Sequence, residues 1–323
     1  MEIRRIVKDE GVDLLVLSNL SAPFAYVLLD QLQARGVPWI LDLPDYFPTS
    51  AAGYIAEVNS FNGRLIAGVF DHMLRYITHR ANAVTTASRA LLRYARRCGA
   101  HDAHHVPNGI PEEFLRICDE RKLREKLGFA HSDFVVGYVG SVDFWLDLKK
   151  LLRGMRLARD RGMNVKGLII GKGLHNQEYS RKTTKWIEKE GLERDVVRLD
   201  FVPHGDVPRF VSALDVGTIP FDVRNLTAYY SAPIKIWEYF SQMKPVVSTP
   251  IPEALSNVDS VLIASDPFDY VRHFYAISMN DSEISRKIKI GHERACQRTW
   301  DMAASEFANV CVKVLKESGR KMC

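Results

Sequence analysis

The sequence predicts an α/β protein of two doubly wound domains with a C-terminal helix, on three observations. Its 323 residues exceed one ordinary domain and suit two of about 150 residues each. Short apolar runs alternate with amphipathic stretches along the chain, the pattern of parallel strands joined by crossover helices. The last stretch keeps Trp300, Ala303, Ala304, Phe307, Val310, Cys311 and Val314 on one face, as a packed helix does.

In the first half the pattern gives a strand over 13–18, a helix over 22–35 and a strand over 38–43. A long helix over 63–80, a strand over 83–86, a helix capped by Ser88 and a short strand over 105–107 follow, ending in the Asn108-Gly109 turn. A charged connector over 116–126 reads as a solvated helix and sets the domain boundary near residue 130, giving domains 1–130 and 131–323. The second half gives strands over 135–139, 167–170, 196–201, 216–220, 245–248 and 260–264. Between them lie a helix from its N-cap Asp147, a helix through residue 189, a short helix near Val207 and a helix over 233–241. The tail reads as helical throughout 283–315. In such a sheet, ligand loops gather at the strand ends.

Composition narrows the class. Hydrophobic residues make up 46% and charged residues 26%, which fits globular domains and not disorder. No apolar run approaches the roughly 20 residues of a membrane helix, and the charged start carries no apolar signal core, so a cytoplasmic address is expected. The five cysteines are scattered, with no Cys-x-x-Cys pair, and read as reduced thiols. No Asp-x-Asp pair or zinc spacing occurs, so no metal is expected, and no phosphate loop or nucleophile elbow supports an ATPase or hydrolase. The net charge of +5 is concentrated: between Arg64 and His105 lie seven arginines and two acids, Asp71 and Asp102. Arg89, Arg93, Arg96 and Arg97 share one helix face, which suits anionic lipid or the phosphate of a lipid-linked acceptor; a solvated basic face has the same pattern. The stretch lacks the interleaved aromatics of a nucleic-acid surface.

The segment from Ala232 to Val247, APIKIWEYFSQMKPVV, carries the most chemistry. Pro233 suits a first helical turn, where N–H groups and the dipole favour a phosphate. Lys235 adds a full charge, and Glu238, three residues on, can accept two hydrogen bonds from a ribose diol. An ordinary surface ion pair has the same spacing.

This segment resembles the Pro-x-Lys-x-x-Glu-Tyr helix and following Pro-Val-Val of glycosyltransferase family 4, the group 1 glycosyl transferases. Tyr138-Val-Gly140-Ser141-Val-Asp143-Phe-Trp145-Leu-Asp147, Ile170-Gly171-Lys172-Gly173 and Asp215-Val-Gly217-Thr-Ile-Pro220-Phe221 are similar to its donor-domain loops. Asp42-Leu-Pro44-Asp45-Tyr-Phe-Pro48, Val106-Pro-Asn108-Gly109 and Trp300-Asp301 agree in order. The resemblance implies a GT-B fold, two Rossmann-like domains facing a cleft, and a retaining transfer of a sugar from a UDP- or GDP-linked donor to a glycan or lipid-linked acceptor. It places Lys235 and the backbone near Ala232 and Pro233 on the diphosphate and Glu238 on the ribose. Gly140, with Ser141, lies where the backbone approaches the phosphates, and Val202 and Pro203 lie near the base. Lys172 reads as facing the cleft, with a solvated loop lysine as the other reading. No further cofactor is implied.

Two departures stand out. Members carry a second glutamate eight residues before Glu238, and this chain has Tyr230 there. Members also open with a strand and glycine-rich loop, whereas Met1 enters the pattern one or two strands late, as a shortened acceptor domain or an incomplete gene would. Asp45 ends a strand where relatives carry His-Asp, with Pro44 in the histidine position. It is the candidate to orient or deprotonate an acceptor hydroxyl; a turn-stabilising loop aspartate is the other reading. A non-catalytic nucleotide-sugar-binding subunit is the alternative function.

Overall fold

The computed structural model describes residues 11–18, 36–57, 60–119, 121–173 and 177–319. The expected helix over 22–35 lies outside the described residues. Contacts divide the chain into two units, Met1–Asn108 with Tyr230–Ala232 and Asp301–Cys323, and Gly109–Tyr229 with Pro233–Trp300.

The first unit carries a parallel sheet in the order β1 (Leu15–Ser18), β2 (Trp39–Leu43), β3 (Ala83–Thr86), β4 (Ala103–His105). Every residue of β3 is buried, and in β2 all but Asp42, so the two central strands are covered on both faces. Helix α1 (Phe47–Ile55) has proline in its first turn. Helix α2 (Phe61–Arg80) starts two residues before the expected position because Ser60 caps it, accepting from the Gly63 N–H at 3.0 Å. Helix α3 (Arg89–Arg97) is capped as expected: Ser88 Oγ accepts from the Leu91 N–H at 3.0 Å.

In the second unit a 3-10 turn at Glu112–Leu115 and helix α4 (Arg121–Lys126) replace the single connector helix expected over 116–126. The elements then run β5 (Phe134–Val139), α5 (Leu148–Arg159), β6 (Val165–Ile170), α6 (Gln177–Lys189), β7 (Val196–Leu199), α7 (Val207–Ser212), β8 (Val216–Ile219), α8 (Leu226–Tyr230), α9 (Lys235–Ser241), β9 (Val246–Ser248), α10 (Pro252–Leu255), β10 (Leu262–Ile263), α11 (Pro267–Ser278) and α12 (Ser282–Ala295). The parallel sheet has the order β10-β9-β8-β5-β6-β7. The chain winds outward from β5 through β6 and β7, then returns to β8 on the other side. In such sheets ligands bind at the carboxyl ends of the strands beside that reversal.

Two glycines mark those ends. Gly140 follows β5 with φ +142° and Gly171 follows β6 with φ +126°, values that L side chains rarely adopt. A Cβ on Gly171 would fall 2.0 Å from the Gly140 carbonyl oxygen, so the two backbones meet with no room between them. On β8, a Cβ at Gly217 would lie 2.3 Å from Tyr239 Cγ, which is why α9 seats directly on the sheet. The Val139 N–H donates to the Tyr239 hydroxyl at 3.0 Å, tying that helix to the end of β5.

The tail is not one helix. Residues 296–299 break it, because the backbone there pairs elsewhere: the Ile110 N–H donates to the Arg298 carbonyl at 2.7 Å, and Ile110 bridges Thr299. Helix α11, absent from the sequence reading, is capped by Asp266, which accepts from the Phe268 and Asp269 N–H groups, with Pro267 in the first turn.

The last helix, α13 (Trp300–Glu317), buries Val310 and Val314 with Ile40 and Ala83, and Lys313 pairs with Asp102 at 2.8 Å. These contacts group residues 301–323 with the first unit, whereas a division at residue 130 assigns them to the second. Among the described residues no helix is long and apolar enough to cross a membrane.

Candidate functional site

Helix α9 begins at Lys235, two residues later than expected, with Ile234 as N-cap. Pro233 therefore precedes the first turn instead of opening it. The Ile236 and Trp237 N–H groups donate to the Pro233 and Ile234 carbonyls, so an anion here depends chiefly on the lysine. The Lys235 side chain crosses the end of β5: a Cβ on Gly140 would fall 2.1 Å from Lys235 Cε and 2.5 Å from Nζ. Gly140 thus leaves the space the ammonium group occupies. Lys235 Nζ also lies 5.8 Å from the centroid of the Tyr138 ring, whose hydroxyl donates to the Ser141 carbonyl at 2.7 Å and fixes the loop after β5.

Glu238, one turn on, is 6% exposed. Among the described residues its carboxylate accepts no hydrogen bond; His204 Nε2 stands 4.0 Å from Oε1. Burial pushes the carboxyl above the usual glutamate range, against the opposing charges of Lys235 and His204. A buried carboxylate left without donors is costly in the free protein and is matched by a ligand offering hydroxyl groups.

In the unfolded chain Glu238 ionises at an ordinary glutamate pH, whereas the native carboxyl holds its proton to a higher one. The native state therefore loses stability as pH rises from the ordinary value to the raised one, and the loss persists above it. Glu238→Gln removes that loss. The variant is expected to melt at a higher temperature than the parent at pH 8, with the difference shrinking toward pH 4, in thermal scans of ligand-free protein.

The remaining donor-side candidates are spread along the same strand ends. Lys172, after β6, pairs with Asp200 at 3.5 Å and lies 4.9 Å from the Phe201 ring centroid, so it serves the loop after β7. Val202 and Pro203 continue that loop, Val202 half-buried and Pro203 exposed. Asp147 does stand at the N-cap of α5, but its carboxylate makes no cap hydrogen bond and pairs with Lys150 at 3.3 Å. Asp143 is buried, accepting from the Phe144 N–H. Ala232 is grouped with the first unit, where its carbonyl accepts from Asn108 Nδ2 at 3.2 Å.

Residues missed by the sequence reading complete the surroundings of Glu238. Gln242, the C-cap of α9, donates from Nε2 to the Phe114 and Arg116 carbonyls at 2.7 and 3.1 Å and accepts from the Cys118 N–H at 2.9 Å. It bolts the 112–118 segment to the helix. Phe114 in turn backs the His204 ring, with centroids 4.9 Å apart. Nothing local in the sequence signals contacts between residues so far apart.

Residues 133–278 match the family model described as "Glycosyl transferases group 1", and residues 1–109 match the "Glycosyl transferase 4-like domain". Together the two matches take in well over half of the chain. The chain belongs to the group 1 glycosyltransferases. No curated protein sequence matches it significantly.

Solved structures agree on the GT-B fold. HepE of Anabaena, solved in complex with UDP, is 18% identical with a TM-score of 0.76, covering 96% of this chain and 81% of its own. Sucrose-phosphate synthase of Thermosynechococcus elongatus is 16% identical with a TM-score of 0.77, covering 98% and 77%. The trehalose 6-phosphate synthase of Burkholderia multivorans is 14% identical with a TM-score of 0.70, covering 98% and 74%.

In this glycosyltransferase the position of the family's second glutamate is built into the core of the first unit. Tyr230 is 9% exposed, its ring 4.7 Å from Tyr46 and 5.6 Å from Tyr94, centroid to centroid. Its carbonyl accepts from Ser88 Oγ at 2.7 Å and its hydroxyl from Arg97 at 3.3 Å. Tyr46 and Tyr94 both donate to Asp71 at 2.7 Å, and Arg75 donates to its other oxygen at 2.6 Å. Burial raises the Asp71 carboxyl, but these hydrogen bonds outweigh it and leave it below the ordinary range. Asp45 is exposed in the loop between β2 and α1. Arg89, Arg93, Arg96 and Arg97 form the exposed face of α3, while Ala90, Leu91, Tyr94 and Ala95 are buried beneath.

Proposed function

We propose that this glycosyltransferase takes its sugar from a nucleoside diphosphate, UDP- or GDP-linked, and passes it to a hydroxyl of a glycan or lipid-linked acceptor with retention at the anomeric carbon. The carrying observation is the Glu238 carboxylate, buried without a hydrogen-bond donor and one turn from the Lys235 ammonium group. That pair suits a ribose diol and a diphosphate on one short helix. HepE, solved with UDP-glucose as well as UDP, supports the reading by likeness of fold. In the transfer, the acceptor oxygen bonds to the anomeric carbon on the same face from which the diphosphate departs, as the bond from that carbon to the diphosphate oxygen breaks, so the configuration is retained. The hydroxyl proton passes to Asp45 as base, and the departing diphosphate carries the electron pair toward Lys235. Stabilising charge that develops on a leaving group is usually the largest catalytic contribution in such sites. Gly140, Ser141, Lys172, Val202, Pro203, Ala232 and Pro233 complete the donor contacts in this reading, with no further cofactor. Incubation with UDP-glucose or GDP-mannose and a panel of lipid-linked and free glycan acceptors tests it. Release of the nucleoside diphosphate with an anomeric proton of unchanged configuration by NMR is expected, and an inverted product contradicts retention.

The same proposal places the protein in the cytoplasm at the inner membrane face, held by the arginines of α3. Their exposure supports it. Each basic residue near an anionic bilayer contributes about 1 kcal/mol, so Arg89→Gln with Arg93→Gln is expected to reduce partition to phosphatidylserine vesicles roughly thirtyfold at low salt. Sedimentation with vesicles checks this, and equal binding by parent and variant removes α3 from the contact.

A further inference from the structure

Loop β7–α7 carries a side chain that the donor reading does not yet use. His204 opens a 3-10 turn, His204–Asp206, closed by the Asp206 N–H donating to the Pro203 carbonyl at 2.9 Å. Its side chain is 66% exposed and has a ring partner on one side. That partner is Phe114, itself 1% exposed, with the ring planes 36° apart. Phe114 cannot easily retreat, because Gln242, 2% exposed, holds its carbonyl from the helix that carries Glu238. The imidazole is thus supported from behind by a fixed aromatic, and its edge reaches within 4.0 Å of the Glu238 carboxylate.

The covalent structure of a nucleoside decides what such a ring meets. The base hangs from the ribose carbon adjacent to the one bearing the 2′-hydroxyl. A diol held by Glu238 therefore brings the base to within about a ring's width of that carboxylate, where His204 stands. We propose that His204 is a nucleotide-contacting residue, its imidazole stacking the base of the nucleoside diphosphate while Phe114 supports it from the other side. The inference rests on the donor reading of Glu238 and extends it by naming the base platform. Planar side chains, histidine included, serve bases this way because every base has a π-face, and the contact tolerates different bases. The Glu238 edge contact adds orientation: when protonated, the imidazole is an ion-pair partner of the carboxylate that takes the ribose.

Calorimetric titration of the full chain with UDP, GDP and ADP, in parallel for the parent, His204→Ala and His204→Phe, tests the inference. A base–aromatic stack is worth roughly five- to hundredfold in affinity. For the nucleotide that binds most tightly, His204→Ala is expected to weaken binding by that factor and His204→Phe to restore it to within about threefold. Both variants should keep the parent's melting temperature, since the side chain is largely exposed. Unchanged affinity in His204→Ala, or a phenylalanine variant as weak as alanine, overturns the stacking role while leaving the donor site intact. A parent that binds none of the three nucleotides overturns the donor reading and this inference with it.

Discussion

Tyr230→Glu, which restores the residue relatives carry at this position, is expected to unfold the protein or leave it within a few kcal/mol of unfolding. The side chain it replaces is packed against Tyr46 and Tyr94 and receives a hydrogen bond from Arg97. Removing a buried aromatic costs about 3–5 kcal/mol, and an incompletely paired buried carboxylate adds several more. Against a total stability of about 5–15 kcal/mol for a native protein, this is most of the reserve. Tyr230→Phe keeps the ring contacts and loses the Arg97 hydrogen bond, so it should cost about 1 kcal/mol. Urea denaturation of the two variants separates the cases. If Tyr230→Glu unfolds within about 1 kcal/mol of the parent, the position tolerates the family residue and the tyrosine core described above is not structural.

Gly140→Val has a different expected effect: loss of nucleotide binding with the fold retained. The residue sits at φ +142°, which costs a β-branched side chain about 1–3 kcal/mol. The atoms its Cβ would strike are Cε and Nζ of Lys235, the far end of a flexible chain, so the lysine swings aside and the backbone survives. A charge-assisted hydrogen bond to phosphate contributes about 1.5–3 kcal/mol, and its loss should weaken nucleoside diphosphate binding roughly ten- to hundredfold. Lys235→Ala should lose a similar factor. Combining the two should lose little more than either alone, because both remove the same contact. Full additivity in this double-mutant cycle would mean that Gly140 acts on the ligand independently of Lys235. Gly171 lies beside it but differs physically: its missing Cβ faces a backbone carbonyl that cannot move, so substitution there strikes the fold itself.

The parts of this account that were legible in the sequence are those fixed by near neighbours in the chain. Ser88 before an amphipathic stretch read correctly as a cap, and β3 falls on the expected residues. The strand-to-loop glycines, Gly140 and Gly171, stand in segments marked by their resemblance to the family's donor-domain loops. Helix α11 was missed although its signal, Asp266-Pro267, was present. The continuous tail helix failed because only a distant backbone, Ile110, interrupts it. The late start of α9 moved Pro233 out of the first turn, a shift of two residues that periodicity does not resolve.

The site shows the same division. Lys235 and Glu238, the proposed donor pair, stand together in one short segment with a known resemblance. Their surroundings could not, because Phe114, His204 and Gln242 meet only through folding, across as many as 128 positions between Gln242 and Phe114. Tyr230 is the sharpest case. In the sequence it was only a departure from a pattern, and its role depends on Tyr46 and Tyr94, far away in the chain. Likewise, the basic helix α3 could be drawn on a helical wheel, but which face lies outward was decided by Leu91 and Tyr94 being buried.

The central claim is that Lys235 and Glu238 hold a nucleoside diphosphate. Calorimetric titration of the parent, Lys235→Ala and Glu238→Ala with UDP and GDP tests it most directly. The expected result is binding of one of these nucleotides by the parent and a loss of at least tenfold in each variant, both still folded; binding that survives unchanged in both variants, or a folded parent that binds neither nucleotide, would contradict it.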